Sequence, residues 1–357
     1  MLKKKCADNE GGKTPASRNI SPAGYVIPVL LILFLIGYIF FQQLQTDDLY
    51  LSYKMTMDTM VELRFSESSA KPGSQIEEEV LNEIERLEML FSRSIDTSDV
   101  SRINAAAGKT PVQVSDEVLY VTGRAVKYAE VSDGKFDPTV GPLVDLWGFL
   151  GQEYRVPSAA EVENVLPLVD YNLVEIAPEQ SAVYLTQENM VLELGGVAKG
   201  YIVDRALEIL NASGVEHAFI NAGGDIGLIG SNPDGDPWRI GVTHPREHGE
   251  IIAVISASGG SVVTSGDYQR SFEEDGIKYH HILDPDTGLP ARKLASVTII
   301  AETATEADAL STAVFVLGPD KGLDLIEKLP TAEGILITPE IEILVSSGLE
   351  GLVELNP

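Results

Sequence analysis

The sequence predicts an α+β protein in which mainly antiparallel sheet packs against helices, preceded by one N-terminal transmembrane helix. Beyond Val169, short apolar runs alternate with turn residues at close spacing, which is typical of antiparallel strands. Before that point, apolar residues recur at helical spacing, most clearly over 116–131. Helices and closely spaced strands in separate parts of a chain favour the α+β class. A chain of 357 residues is long enough to bury a large core.

The N-terminus is predicted to anchor the chain in a membrane. Five basic residues precede an apolar run over 24–41, and the positive side of such a run stays in the cytoplasm. No small-residue cleavage signal follows the run, and Cys6 precedes it, so we expect an uncleaved signal anchor rather than a lipoprotein. The expected organisation is a cytoplasmic tail (1–23), the anchor (24–41) and an extracytoplasmic domain (47–357) of a single-pass cell-membrane protein. The alternative is a soluble protein that buries the apolar helix.

The composition excludes several classes of partner. Acidic residues outnumber basic ones by 54 to 26, which gives a net charge of −28. Such a chain has no basic face for nucleic acid and no polybasic attachment to anionic lipid. A phosphate site on this chain therefore needs a bound cation or local backbone donors. With one cysteine, the chain forms no internal disulfide and no cysteine metal cluster.

The first half of the outer domain is predicted to form one strand followed by helices. Alternating apolar residues predict a strand over Leu51–Phe65, which Pro72 and Gly73 end. The segment Ser74–Glu77 has capping-box spacing and predicts the start of a helix. A second helix is predicted over Asp116–Val131, and a short third one begins at Ser158.

The stretch Leu192–Tyr201 has the pattern of a strand, a glycine turn and a helix N-terminus. Val191–Leu194 is a short apolar run, Gly195 and Gly196 follow, and helical spacing continues to about residue 210. Gly214 is the expected left-handed residue after that helix. Paired glycines allow a ligand close to the backbone, and a helix N-terminus offers free N–H groups to an anion. The alternative is an ordinary tight turn.

Two further stretches admit either a functional or a structural interpretation. After the Pro- and Gly-containing loop 137–143, Trp147 and Phe149 either stack on a flat ring or pack in a rigid core loop. The stretch Asn221–Gly227 lacks the glycine spacing of a dinucleotide fingerprint, and no helix follows it. It is a candidate site loop or only a turn between strands.

A histidine pair lies close to a turn rich in hydroxyls and carboxylates. His280 and His281 are adjacent, so on a strand their side chains face opposite sides and only one can face a given site. Asp284 follows in the sequence Leu-Asp-Pro-Asp-Thr-Gly. Histidine and aspartate are the natural proton acceptors near neutral pH, so His281 and Asp284 are the candidate general bases.

A predicted helix over Glu306–Leu317 carries a possible metal site. Asp308 and Thr312 are four residues apart and therefore share one face of the helix. Both offer oxygen, which suits a hard divalent ion such as Mg²⁺. The alternative is structural, because Thr305–Asp308 itself has capping-box spacing and Thr312 can bond back along the helix.

Together and in this order, the stretches resemble the FAD:protein FMN transferase family, also called the ApbE family. The similarity covers about 57–345, and its most specific parts are GGVAKGY, NAGGDI, SGDY with HHILDPDTG, and TATEADALSTAVFVLG. The resemblance implies an ApbE/T-fold-like domain that binds FAD and Mg²⁺. It implies transfer of FMN to a threonine or serine of an acceptor protein, with release of AMP. Acceptors of such families are subunits of sodium-pumping or electron-transport complexes, and some relatives hydrolyse FAD instead.

The resemblance also assigns residues. It implies metal ligation by the side chains of Asp308 and Thr312 and by a backbone oxygen at Gly196. The positions that match contacts to the flavin nucleotide are Met57, Ser94, Lys135, Phe136, Asp137, Glu193, Lys199 and Ile282. This chain departs from the common pattern at two of them. Glu193 stands where aspartate is common, and Ser94 stands where some members have an aromatic ring that stacks on the cofactor.

The expected chemistry follows from charge. A pyrophosphate is anionic and so is this chain, so attack by a neutral hydroxyl needs the phosphate charge to be screened, which Mg²⁺ does. His281 and Asp284 both remain candidates for the proton acceptor, with His281 preferred. Two other functions compete with the transferase: an Mg²⁺-dependent FAD pyrophosphatase that uses water, and a non-catalytic flavin-binding protein.

Overall fold

The computed structural model describes residues 49–151 and 153–355. The predicted tail (1–23) and anchor (24–41) lie outside the described residues. Among the residues that the structure describes, no helix has both the length and the apolarity needed to cross a bilayer.

Eight α-helices occur in the described ranges. They are α1 (Gly73–Phe91), α2 (Asp99–Ala105), α3 (Asp116–Val131), α4 (Gly141–Trp147), α5 (Ala159–Val165), α6 (Ala198–Ala212), α7 (Ala304–Leu317) and α8 (Pro319–Ile326). The strands are β1 (Tyr50–Thr56), β2 (Thr59–Phe65), β3 (Val112–Gln113), β4 (Val174–Ala177), β5 (Ala182–Leu185), β6 (Ala218–Ala222), β7 (Asp225–Ile229), β8 (Trp238–Thr243), β9 (Ile251–Ala257), β10 (Gly260–Gly266), β11 (Ser271–Glu274), β12 (Ile277–His280), β13 (Leu283–Asp284), β14 (Leu289–Pro290), β15 (Ser296–Ala301), β16 (Ala332–Ile337), β17 (Ile343–Val345) and β18 (Val353–Leu355).

One large antiparallel sheet organises the domain. Its strand order is β1-β2-β6-β7-β10-β15-β16-β17, and each neighbouring pair is antiparallel. Smaller sheets have the orders β18-β9-β8 and β3-β5-β4, and two short hairpins join β11 to β12 and β13 to β14. The predicted α+β class with mainly antiparallel sheet is confirmed.

Different layers cover the two faces of the large sheet. Val61 of β2 and Val297 of β15 belong to the main core, which they share with α1, α6 and α7. On the other face, Val262 of β10 and Ile335 of β16 pack with Trp238 of the β18-β9-β8 sheet. The central strands are thus buried on both faces, which explains their nearly continuous apolar sequences.

Helices α6 and α7 pack closely, and this contact places the site residues. A Cβ atom at Gly200 of α6 would lie 2.2 Å from the carbonyl oxygen of Ala304, so only glycine permits this approach. Asp204 of α6 binds the start of α7, accepting from the backbone N–H groups of Ala304 at 2.7 Å and Thr305 at 2.9 Å. The N-cap of α7 is Thr303, so the capping interpretation of Thr305–Asp308 is wrong.

Several predicted helices are confirmed. Helix α3 has the predicted bounds, and α5 begins with a capping box formed by Ser158 and Glu161. Helix α6 runs over Ala198–Ala212, and Gly214 follows with a left-handed φ of 76°. These segments have strong periodicity or explicit cap residues, which are the most dependable local signals.

The single strand expected over Leu51–Phe65 is wrong. The segment forms a hairpin of β1 and β2, joined by a turn at Met57 and Asp58 with φ of 53° and 56°. The apolar alternation continues through this turn, and the sequence there contains no Asn-Gly or Asp-Gly pair to mark it.

The capping box expected at Ser74–Glu77 is also wrong. Helix α1 begins earlier, at Gly73, with Pro72 at the N-cap and no side-chain cap. The carbonyl of Pro72 accepts hydrogen bonds from the N–H groups of Gln75 and Ile76. Proline before glycine therefore starts this helix, although it was expected only to end the preceding strand.

The strand expected over 191–194 is not formed. This segment is extended but makes only one isolated bridge, between Val140 and Val191. The side chain of Asn104 replaces a neighbouring strand, because it accepts from the N–H of Leu192 at 2.7 Å and donates to its carbonyl at 3.1 Å. A distant side chain thus satisfies backbone groups that local sequence would assign to a sheet.

We expect Asp204→Ala to lower the free energy of unfolding by about 2 kcal/mol, because it leaves the first N–H groups of α7 without their acceptor. Urea denaturation followed by circular dichroism measures the effect. The matched control is Asp320→Ala, which removes an exposed first-turn carboxylate of α8 and should cost less than about 0.5 kcal/mol. Equal losses for the two variants would contradict the capping role of Asp204.

Candidate functional site

A cavity of about 590 Å³ lies between the N-terminal end of α6, helix α7, the turn of the β1–β2 hairpin and the segment after β12. Every predicted site residue except Asp284 lines it. The lining members of that set are Met57, Ser94, Lys135, Phe136, Asp137, Glu193, Gly196, Lys199, His281, Ile282, Asp308 and Thr312. The structure therefore gathers in one place residues that are separated by more than two hundred positions in sequence.

A group of buried charges lies at one end of the cavity. The Lys199 Nζ atom is 2.9 Å from Oδ1 of Asp225, whose other oxygen, Oδ2, is buried without a hydrogen-bond partner among the described residues. Oδ2 of Asp308 accepts a hydrogen bond from the N–H of Gly200 at 3.0 Å. Burial and the nearby charge of Asp225 raise the pKa of Asp308 well above its usual range, against the opposing effect of Lys199. Additional positive charge at this point would stabilise both carboxylates.

The donors predicted for a metal lie around the same point. A Cβ atom built on Gly196 would lie 3.5 Å from Oγ1 of Thr312, so the backbone of this glycine approaches the threonine closely. Asp308 is one turn before Thr312 on α7. Within 49–151 and 153–355, no group of three or more His, Cys, Asp or Glu side chains could hold a metal ion. The donor set is one carboxylate with neutral oxygens, which fits Mg²⁺ because this ion usually keeps waters and binds substrate phosphates.

The two adjacent histidines have different environments, although only His280 lies on a strand, as the last residue of β12. His281 lines the cavity, and its Nδ1 is buried with no hydrogen-bond partner among the described residues. Burial, together with the positive charge of Arg270, lowers the pKa of His281 to about 3, so its imidazole is neutral at pH 7. His280 instead contacts the Phe315 ring edge-on, and its Nε2 lies 2.6 Å from the carbonyl oxygen of Ala291.

Asp284 does not line the cavity, but it is hydrogen-bonded to Lys135, which does. Its Oδ1 atom lies 2.8 Å from the Nζ atom of Lys135 and accepts from the N–H of Asp286 at 3.1 Å. Lys135 also binds the side chain of Asp286, and the two carboxylates raise the lysine pKa despite its partial burial. Of the two candidate bases, only His281 borders the cavity.

An arginine not singled out by the sequence links two walls of the cavity. Arg93 is 8% exposed and binds both oxygens of Asp145, at 2.8 and 2.7 Å, and Oε2 of Glu193 at 2.7 Å. The other carboxylate oxygen of Glu193 accepts from the N–H of Gly195 at 2.8 Å. The Arg93 side chain therefore fixes the glycine turn to helix α4. No local motif marks it, because its partners are remote in sequence.

Asp225 was also missed as a site residue. It begins β7 in the turn that the sequence left open between a site loop and a plain turn. Asn221 stabilises that turn by accepting from the N–H of Gly224 at 2.9 Å. The pairing of Asp225 with Lys199 makes this turn part of the site.

Hydrogen bonds within the protein fix two of the cavity residues, Asp137 and Met57. Asp137 is buried and accepts hydrogen bonds from both the N–H and the hydroxyl of Thr139 and from the N–H of Tyr171, so both of its oxygens are engaged within the protein. The N–H of Met57 is held at 3.3 Å by Glu88. Asp137 therefore holds the loop that forms this part of the cavity wall. The turn of the β1–β2 hairpin places Met57 at the cavity.

The aromatic pair near α4 divides between the core and the cavity. Trp147 is 1% exposed, and its indole N–H donates to the carbonyl of Gly288 at 2.9 Å. Phe149 lines the cavity together with Phe136. The core interpretation therefore holds for Trp147, and it holds for most of Phe149, which is 4% exposed and packs against Trp147 in the same buried cluster. Only the part of the Phe149 ring that borders the cavity is left to contact a ligand.

Comparison with known proteins identifies relatives over most of the chain. The model of the ApbE family matches residues 57–336. A protein from Treponema pallidum named FAD:protein FMN transferase is 35% identical over 300 residues, covering 79% of this chain and 83% of the relative. A protein of the same name from Klebsiella pneumoniae is 38% identical over 268 residues, covering 74% and 82%.

Solved structures agree with the sequence comparison. The ApbE protein of Thermotoga maritima superposes with a TM-score of 0.80 at 38% identity, covering 85% of this chain and 99% of that chain. The flavin transferase ApbE from Vibrio cholerae gives a TM-score of 0.77 at 28% identity, again covering 85% and 99%. The resemblance predicted from four ordered motifs is confirmed, and this chain belongs to the ApbE family.

Proposed function

We propose that this chain is an FAD:protein FMN transferase, which moves FMN from FAD to a threonine or serine hydroxyl of an acceptor protein and releases AMP. The observation that carries the proposal is the cavity, which joins the oxygen donors Gly196, Asp308 and Thr312 to a neutral histidine, His281. Relatives with this name cover about three quarters of the chain or more.

The transfer is a displacement at phosphorus. The acceptor hydroxyl oxygen attacks the phosphorus of the FMN half, and the bond from this phosphorus to the oxygen bridging to AMP breaks. The bridging oxygen leaves with AMP, and the hydroxyl proton passes to a base as the phosphoester forms. His281 is the base we assign, because its imidazole is neutral and borders the cavity while Asp284 is bound to Lys135.

Asp308, Thr312 and the carbonyl of Gly196 would hold Mg²⁺, whose chemistry here is to neutralise charge on the pyrophosphate. The protein would contribute one carboxylate and neutral oxygens as ligands, which avoids excess negative charge beside the pyrophosphate. Lys199 assists by compensating Asp225, which otherwise adds a second carboxylate next to the anionic substrate. Burial acts to lower the pKa of Lys199, but the two neighbouring carboxylates outweigh burial and raise it, so the side chain stays charged.

The remaining lining supplies contacts for a dinucleotide. Phe136, Phe149 and Ile282 offer apolar surface for ring systems, and Ser94 replaces the aromatic ring of some family members. Glu193 is held by Arg93 and offers a fixed carboxylate for polar groups of the nucleotide. These assignments support FAD as the substrate.

The proposal is tested by incubating the chain with FAD, Mg²⁺ and the flavin-accepting domain of a sodium-pump or electron-transport subunit. We expect mass spectrometry to find FMN on a threonine or serine of that domain, with AMP released in equal amount. Free FMN and AMP without a modified acceptor would support the pyrophosphatase instead. Recovery of intact FAD would support a binding protein.

The same assay tests the metal assignment. Asp308→Asn should reduce FMN transfer by about 100-fold or more, since it removes the only carboxylate among the proposed ligands. Asp324→Asn is the matched control, because its side chain is 79% exposed on α8 and should leave the rate unchanged. Normal turnover in Asp308→Asn would show the metal assignment to be wrong.

The two candidate bases make opposite predictions. We expect His281→Asn to lower kcat by about 10²- to 10⁴-fold, and Asp284→Asn to change kcat by less than threefold, because Asp284 lies outside the cavity. Because the pKa of His281 is lowered to about 3, the base form is lost only when the pH falls well below 6.5. A pH–kcat profile should therefore show no histidine-like loss of activity between pH 8 and pH 5. A larger effect of Asp284→Asn would reverse the assignment.

We also propose that residues 24–41 anchor the protein in the cell membrane, with residues 1–23 in the cytoplasm and the catalytic domain outside it. The support is the apolar run with basic residues on its N-terminal side. An extracytoplasmic position would bring the enzyme to acceptors among membrane-bound electron-transport or sodium-pump subunits.

Fractionation of cells that express the full chain tests this location. The protein should stay with membranes after alkaline carbonate extraction, and externally added protease should digest the domain beginning at residue 47 in spheroplasts. A chain that lacks residues 1–46 and is expressed inside the cell should be recovered in the soluble fraction. Protection of the domain from external protease would contradict the proposed orientation.

A further inference from the structure

The edge strand β1 has an unusual distribution of apolar side chains. It is the terminal strand of the large sheet, and no strand among the described residues pairs with its outer edge. Leu51, Tyr53 and Met55 on β1 are 53%, 56% and 63% exposed, and Met60 opposite Met55 on β2 is 48% exposed. Natural edge strands usually avoid exposed apolar rows, so this row calls for a partner.

The opposite face of β1 is polar and is fixed to helix α1. The hydroxyl of Tyr50 donates to Glu77 at 2.6 Å, and the hydroxyl of Ser52 donates to the same carboxylate. At the other end of the strand, Thr56 donates to Glu88 at 3.0 Å. These bonds hold the strand in place, so its apolar row is presented on a rigid element.

The backbone of β1 is also available for pairing. The two-residue turn makes Thr56 and Thr59 a hydrogen-bonded pair, and the pattern alternates along the hairpin. The backbone N–H and C=O groups of Leu51, Tyr53 and Met55 therefore point to the free edge. Their side chains form the apolar row, so one added strand would contact both sets of groups.

The free edge ends at the cavity. Met57 and Asp58, which form the turn after β1, and Thr59, which follows them, line the cavity that contains His281 and Asp308. A segment that pairs with β1 and continues past Thr56 reaches the mouth of that cavity. The edge and the reaction site are thus parts of one continuous surface.

We propose that β1 binds an extended segment of the acceptor protein as an added strand and thereby directs its threonine or serine into the cavity. This inference rests on the proposed transferase function. The segment it fits has apolar side chains at alternate positions on one face, close in sequence to the modified hydroxyl. The flexible side chains of Met55 and Met60 suit several such sequences.

Two other occupants fit the surface less well. An anionic lipid surface would be repelled by a chain of net charge −28. The charged residues Glu62 and Arg64 also lie next to the apolar row, on β2. A second copy of the chain would need about 800 Å² per partner for a stable dimer, more than four half-exposed side chains supply.

The test compares two β1 variants with the wild type. Tyr53→Pro removes an outward N–H without removing a backbone bond to β2, although the exposed hydrogen bond from the Tyr53 hydroxyl to Glu62 is lost with the side chain. The double variant Leu51→Lys, Met55→Lys charges the apolar row while keeping the backbone. Leu355→Lys, 48% exposed on β18, is the control for a charged residue on an exposed strand. The probe is the purified flavin-accepting domain of a sodium-pump subunit, and FAD affinity is measured separately by fluorescence quenching.

We expect both β1 variants to raise the KM for the acceptor domain at least tenfold, with FAD affinity changed less than twofold, and the control to match the wild type. Hydrogen exchange should show that the acceptor domain protects the amides of 51–55. An acceptor KM within twofold of the wild type in both variants would overturn the inference. The inference would also be overturned if the β1 variants kept the acceptor KM of the wild type but lost binding to lipid vesicles or lost the ability to form dimers. A wild-type chain that neither modifies the domain nor consumes FAD would instead overturn the proposed function.

Discussion

The site depends on the electrostatic balance among Lys199, Asp225 and Asp308 at the end of the cavity. Burial raises the pKa of both Asp225 and Asp308, and the nearby Lys199 opposes both shifts. Burying such charges is costly unless a cation compensates them. In the proposed function, a divalent ion held at Asp308 would favour the carboxylate form of this residue and would add positive charge for a phosphate.

The fold serves this arrangement through close contact between two helices. Gly200 allows the start of α7 to approach α6, and Asp204 fixes that approach by accepting from the first N–H groups of α7. Asp308 then hydrogen-bonds to the N–H of Gly200, so the same glycine supports both the packing and the carboxylate. The large sheet places the turn that bears Asp225 beneath these helices. The same contacts therefore stabilise the fold and position the site residues.

The sequence predicted much of this structure, and its failures have local causes. Long periodic segments such as α3 and α6 were predicted correctly because their signal extends over several turns. The hairpin turn at Met57 was missed because left-handed φ values occur there without glycine or asparagine. Nearly all the residues that the ordered motifs assigned to the site line the cavity, and Asp284 is the exception. Arg93 and Asn104 were missed because they act through partners remote in the chain.

In the proposed function, Asp308, Thr312 and the carbonyl of Gly196 would hold a divalent ion that neutralises charge on the FAD pyrophosphate. Anomalous diffraction from crystals grown with FAD, and with Mn²⁺ in place of Mg²⁺, tests this metal assignment. We expect an anomalous peak within about 2.5 Å of the Asp308 carboxylate and the Gly196 carbonyl oxygen, next to a phosphate of the dinucleotide. A bound dinucleotide with no peak at this position, or with its only peak elsewhere, would contradict it.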